Sequence, residues 1–168
     1  MTPSSILTIS TAAVIIDAIT VASTFTKSDI FYKSETLYEW YEKYRIGAAV
    51  LDILILVIGF RIIDYVSEVL RIKKFSINYY VLAVVLQIIH DLLFYGMVLV
   101  IPNGYNIFDF FKKYAHEDGV LAIVGDSLMV ISTGLLYNFL QSRNMTQSTE
   151  ALVLLTSIYI LTYILYLR

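Results

Sequence analysis

Four aspartates sit inside long apolar runs: Asp17 in ILTISTAAVIIDAITVASTF, Asp52 in IGAAVLDILILVIGFRIIDY, Asp91 in YYVLAVVLQIIHDLLFYGMVLVI and Asp126 in VLAIVGDSLMVISTGLLYNFL. His90 stands beside Asp91. Carboxylate oxygens suit hard cations such as Ca²⁺, Mg²⁺ or Mn²⁺, and an imidazole tilts the choice toward Mn²⁺, Fe²⁺ or Zn²⁺. The same side chains carry protons or hold Na⁺ where a site loads and unloads. The cofactor expectation is therefore a hard divalent cation on Asp17, Asp52, Asp91, Asp126 and His90, or protons alone. The competing reading makes each Asp packing glue, bonded to a Ser, Thr, Tyr or His on a neighbouring helix.

The elements that must position these groups are membrane spans. Of 168 residues, 58% are hydrophobic and 15% charged, and the mean hydropathy is +0.74. Soluble domains carry about 25% charged residues. Five runs approach the roughly 20 apolar residues that cross a bilayer: about 6–25, 46–65, 79–101, 120–140 and a shorter 151–167. They lack the two-residue alternation of barrel strands, so the expected class is an all-α integral membrane protein of one domain. The first run has no Lys or Arg ahead of it and holds Asp17 within it, which favours a retained helix over a signal peptide.

At about 1.5 Å per residue, Asp52 and Asp126 lie roughly 9 Å from the boundary opposite the N-terminus, Asp17 about 12 Å and Asp91 about 15 Å. All four fall in one band. Small and polar residues accompany them at helical spacing: Ser10, Ala13 and Thr20 beside Asp17, Ala49 and Gly59 beside Asp52, Ala83 and Gln87 beside Asp91, Ala122 and Thr133 beside Asp126. Such stripes allow close helix approach, so the four carboxylates are expected to meet. Each costs about 2.5–3.5 kcal/mol in mid-membrane, and two charges about 5 Å apart repel by about 3 kcal/mol at an effective dielectric near 20. Either some keep a proton or a cation sits between them. Arg61 and His90 are the internal bases, and Arg61 is expected to pair with Asp64 and Glu68 at the far boundary.

Two aromatic and charged segments precede the second and fourth spans. LYEWYEKY at 37–44 and IFDFFKKY at 107–114 align apolar, aromatic and charged positions in the same order at an offset of 70. They read as helices in the headgroup layer, with Trp40, Tyr41, Phe110 and Phe111 as interfacial anchors. The spacing from Asp17 to Asp52 equals that from Asp91 to Asp126, at 35 residues. We therefore expect two parallel copies of a helix–interfacial helix–helix unit, about 6–66 and 79–140, related by a pseudo-two-fold axis along the membrane normal. A helix at about 150–167 is appended.

The side opposite the N-terminus carries seven Lys and Arg against four on the other, leaving Arg61 aside. This favours an outside N-terminus and a cytoplasmic C-terminus. The Asn144-Met145-Thr146 sequon falls in a loop too short for a glycan to be expected. A net charge of −2 leaves no footprint for nucleic acid. The absence of cysteine removes disulfides, thiolate metal sites and Cys nucleophiles. Walker, HExxH and GxSxG motifs are missing. Gly125-Asp126 lacks the first glycine of an intramembrane aspartyl protease motif, because Ile123 stands there. No nucleophile or base stands apart from the Asp cluster, which disfavours an enzyme.

The stretches LYEWYEKYRIGAAVLDILILVIGF, LQIIHDLLFYGMVLVIPNG and FKKYAHEDGVLAIVGDSLM resemble small multi-pass membrane proteins encoded by giant double-stranded DNA viruses. The resemblance implies a membrane of the virion or infected host and carries no functional residue with it. The leading expectation is a membrane protein whose buried Asp cluster binds or translocates a cation. The alternative is a structural or assembly protein of a viral or host membrane. The expected partners are the bilayer and a second copy of the chain.

Overall fold

The computed structural model describes residues 3–26, 34–104 and 107–167, with side chains from Ile6 onward. Seven helices and no strand occur among the described residues: α1 (Pro3–Thr26), α2 (Glu35–Tyr44), α3 (Ile46–Val69), α4 (Ile77–Val100), α5 (Ile107–Glu117), α6 (Gly119–Ser142) and α7 (Gln147–Tyr166). Ile6–Thr26 of α1 and all of α3, α4, α6 and α7 are long and apolar enough to cross a membrane. The chain is thus an all-α, multi-pass membrane protein. Two boundaries move from expectation. The α3 helix continues to Val69 and carries Glu68 within it. The α7 helix starts at Gln147 because Thr146 Oγ1 accepts from the Thr149 amide at 3.3 Å, so it has a full 20 residues.

Helices α1 and α4 each pack against both α3 and α6, and α7 covers the remaining face of α1. Burial follows directly. Most of α1 from Thr8 to Phe25 is inside, with Thr8, Thr11, Asp17, Thr20 and Ser23 among the buried residues. A helix enclosed on most sides has little reason to be amphipathic. Helix α4 has no such cover, and Val81, Leu92, Leu93 and Val100 face outward, as a lipid-facing surface would.

The core has two tiers. On the N-terminal side Ile9, Phe60, Ile63, Tyr79, Tyr137 and Leu140 pack together. On the opposite side Val14, Val21, Trp40, Tyr41, Ala48, Phe110 and Leu161 do so. Gly134 lets α6 approach its neighbours in the first tier. A Cβ there would lie 2.9 Å from Tyr80 Cε1 and 3.1 Å from Phe60 Cζ. Gly134→Ala is therefore expected to destabilise by about 1–3 kcal/mol, the range for overpacking. Denaturant unfolding in detergent measures it, and an unchanged midpoint would mean the two rings can slide aside.

Asp64 has a different partner from the one expected. Lys74, in the turn between α3 and α4, donates to Asp64 Oδ2 at 2.8 Å and to the Tyr137 hydroxyl at 2.9 Å. The Tyr79 hydroxyl donates to Asp64 Oδ1 at 2.7 Å. The turn reverses through positive φ at Arg71 and Phe75, which sends Lys74 back under the bundle, over the Tyr137 ring at 4.5 Å. Asp64 thus takes its cation from the turn, where the sequence reading had looked one helical turn back to Arg61.

Helices α2 and α5 lie antiparallel across the opposite end. Ser34 Oγ donates to Asp118 at 2.6 Å, the Thr36 hydroxyl donates to Glu117, and Lys113 pairs with Glu39 at 2.5 Å. Each of these helices joins the next span through one residue of positive φ, Arg45 at 46° and Gly119 at 44°. Both residues stand seven positions before an intramembrane Asp, Asp52 and Asp126. Arg45 lacks the freedom of glycine at such a φ. Its guanidinium caps the α7 terminus instead, donating to Leu165 O at 2.8 Å over the Tyr166 ring.

Candidate functional site

The aromatics expected in the headgroup layer turn inward. Trp40, Tyr41 and Phe110 are buried and Phe111 is half-buried. Trp40 stacks on Phe110 at 5.3 Å between ring centres and lies 5.1 Å from Phe111. The antiparallel pairing of α2 and α5 leaves their charged faces to each other and to solvent, so their apolar faces close the bundle from below. The anchor role expected for Trp40, Tyr41 and Phe110 is replaced by a place in the core.

The inward turn brings both polar tips of α2 to carboxylates. The Trp40 indole N–H donates to Asp52 Oδ2 at 3.1 Å. The Tyr41 hydroxyl donates to Asp17 Oδ1 at 3.3 Å and also lies in hydrogen-bonding reach of Asp52. Burial and the two nearby carboxylates push the Tyr41 phenol well above its ordinary value, so it stays a neutral donor. Asp17 is fully enclosed, and its second oxygen has no partner among the described residues.

On the other half of the site, Gln87 donates to Asp91 Oδ1 at 2.6 Å, one helical turn away on α4. His90 Nδ1 lies 3.2 Å from the same oxygen. The second Asp91 oxygen is buried without a partner among the described residues. Asp126 is within electrostatic reach of both Asp91 and Asp52. No hydrogen bond to it is formed among the described residues.

Asp52, Asp91 and Asp126 line one chamber of about 470 Å³, together with Gln87, His90, Trp40 and Tyr41. The rest of its wall is aliphatic and aromatic, and no Lys or Arg lines it among the described residues. Asp17 stands behind the wall, joined through Tyr41. Three of the four carboxylates expected to meet therefore line one space, and the fourth stands outside it. They do not form a coordination sphere. No group of three or more His, Asp or Glu placed to hold a metal ion occurs among the described residues. Asp52, Asp91, Asp126 and His90 line the void, Asp17 lies outside its lining, and His90 is exposed beside Asp91.

Two groups escaped the sequence reading. Tyr41 links two carboxylates, a role hidden by its place in an aromatic segment. Glu150 is buried at the start of α7, where it accepts from the Thr8 hydroxyl at 2.9 Å. The capping signal at Thr146 would have brought Glu150 inside the helix.

Where α2 meets the end of α5, burial raises the Asp118 carboxyl above the ordinary 3.8, with the Ser34 bond opposing and Glu117 adding. A raised carboxyl stabilises the fold fully below its unfolded value and loses that contribution as pH climbs through the folded one. Asp118→Asn is therefore expected to exceed the parent protein in thermal stability near neutral pH, with the gap closing toward about pH 3.8. Thermal unfolding at the two pH values checks this, and a gap that widens on acidification would refute it.

No protein-family model, curated protein or solved structure matches the chain.

Proposed function

We propose that the protein binds and passes protons or a monovalent cation through its membrane-embedded carboxylate chamber. The observation that carries this is the lining: three Asp and, among the described residues, no Lys or Arg, around a void between the spans. Carboxylates gathered without an internal cation need bound protons or an added positive charge to coexist. Tyr41 provides a hydroxyl bridge from Asp17 to the chamber. With the positive-inside orientation, the chamber lies in the cytoplasmic half. The shared neighbours of α1 and α4, the antiparallel α2 and α5, and the positive-φ joins before Asp52 and Asp126 support reading the first six helices as two related copies about the chamber.

The test is infrared spectroscopy of the protein in bilayers, titrated from about pH 4 to about pH 10 with and without Na⁺. A protonated-carboxyl band that titrates, shifts with Na⁺ if Na⁺ is the ion, and vanishes in the Asp52→Asn/Asp126→Asn variant supports the reading. A spectrum blind to pH and Na⁺ overturns it.

A second reading draws on the Trp40–Asp52 and Tyr41–Asp17 bonds, which hold α2 onto the bundle. In a structural or assembly protein of a viral or host membrane, those bonds would be the whole purpose of the carboxylates. Single Asp→Asn changes would then leave function intact, while loss of Trp40, Phe110 or Phe111 would not.

A further inference from the structure

We infer that the chamber takes a lipophilic organic cation: one positive charge, of the ammonium or phosphonium class, on an aromatic or alkyl body. This rests on the reading of the chamber as a cation site and names the class of cation that fits it.

Size comes first. A chamber of about 470 Å³ lies in the range of pockets that enclose small organic ligands, roughly 300–1,000 Å³. A water occupies about 30 Å³, so a proton or a bare ion leaves most of this space unexplained. Wall chemistry comes second. Trp40, Tyr41, Phe94, Phe110, Phe111 and Tyr114 line the space beside three carboxylates. Aromatic faces attract desolvated cations, and aliphatic surface holds an organic body, whereas a hydrated ion gains nothing from either.

Access is the third observation. Leu51, Ile55, Leu92, Tyr95 and Val120 line the chamber and are also exposed on the outer surface of the spans. The chamber is therefore open sideways through an apolar mouth. A small hydrated ion meets a barrier there, while an amphiphile dissolved among acyl chains enters with its body first.

The fourth observation is Asp126. It lines the chamber, is half-buried, and makes no hydrogen bond among the described residues. Asp52 and Asp91 have donors already. Asp126 is the carboxylate left for a ligand that brings charge and no obligatory donor.

The chain holds one tryptophan, and it forms part of the wall. Its fluorescence in lipid nanodiscs reports occupancy without a label. Tetraphenylphosphonium is the probe, and tetraphenylborate, of matching shape and opposite charge, is the control. Saturable quenching by the phosphonium alone is expected. Asp126→Asn should weaken it by about 30-fold, the loss of a buried charge partner. Phe111→Ala, which keeps every carboxylate, should weaken it by about threefold. Equal response to the borate, or unchanged affinity in a folded Asp126→Asn protein, overturns the inference. If the phosphonium has no effect while the infrared carboxyl band still titrates, only this inference falls. If both are silent, the chamber reading falls with it.

Discussion

Asp17, Asp52, Asp91 and Asp126 replaced together by Asn are expected to leave a folded protein with no cation-coupled flux. Asparagine keeps the shape and one acceptor oxygen, so Tyr41 still has a partner at position 17 and Trp40 at position 52. What it removes is the charge and the exchangeable proton. Each carboxylate costs roughly 2.5–3.5 kcal/mol near mid-membrane, so the variant should equal or exceed the parent in stability. Proteoliposomes with an entrapped pH dye, under an imposed pH or Na⁺ gradient, measure the flux. Parent flux far above that of empty vesicles, falling by about 90% or more in the variant, is the expected pair of results. Undiminished flux in a folded variant would remove the carboxylates from the mechanism.

At the other end of the bundle, Asp64→Ala is expected to cause the largest loss of stability. It strips Lys74 of its anion and Tyr79 of its acceptor in one step. Breaking a buried pair from one side costs about 3–5 kcal/mol, and Lys74 is half-buried, so about 3 kcal/mol is expected. Asp64→Asn should lose less, since the amide oxygen still accepts from Tyr79. Removing the charge on both sides, as Asp64→Leu with Lys74→Met, should recover part of the loss. Equilibrium unfolding in detergent gives all three values. Equal stability of Asp64→Ala and the parent protein would show that the turn cluster is ornamental.

The spans were legible because apolar run length along a single helix sets them. Contacts across the chain were less legible. The segments at 37–44 and 107–114 show which face is apolar, but periodicity alone cannot say whether that face meets headgroups or protein. Their antiparallel pairing decides it, through Ser34 with Asp118 and Glu39 with Lys113. Lys74 reached Asp64 through a turn whose positive-φ residues, Arg71 and Phe75, are not glycines.

The enclosure of α1 bears on how the chain is made. Synthesis delivers α1 to the membrane before α6 and α7, which cover it. Until then its Thr8, Thr11 and Thr20 face lipid or an insertion partner, and the Glu150 that receives Thr8 has yet to be translated. A ribosome that stops short of α7 releases a product in which the hydroxyl-bearing face of α1 is bare, a ready mark for quality-control proteolysis.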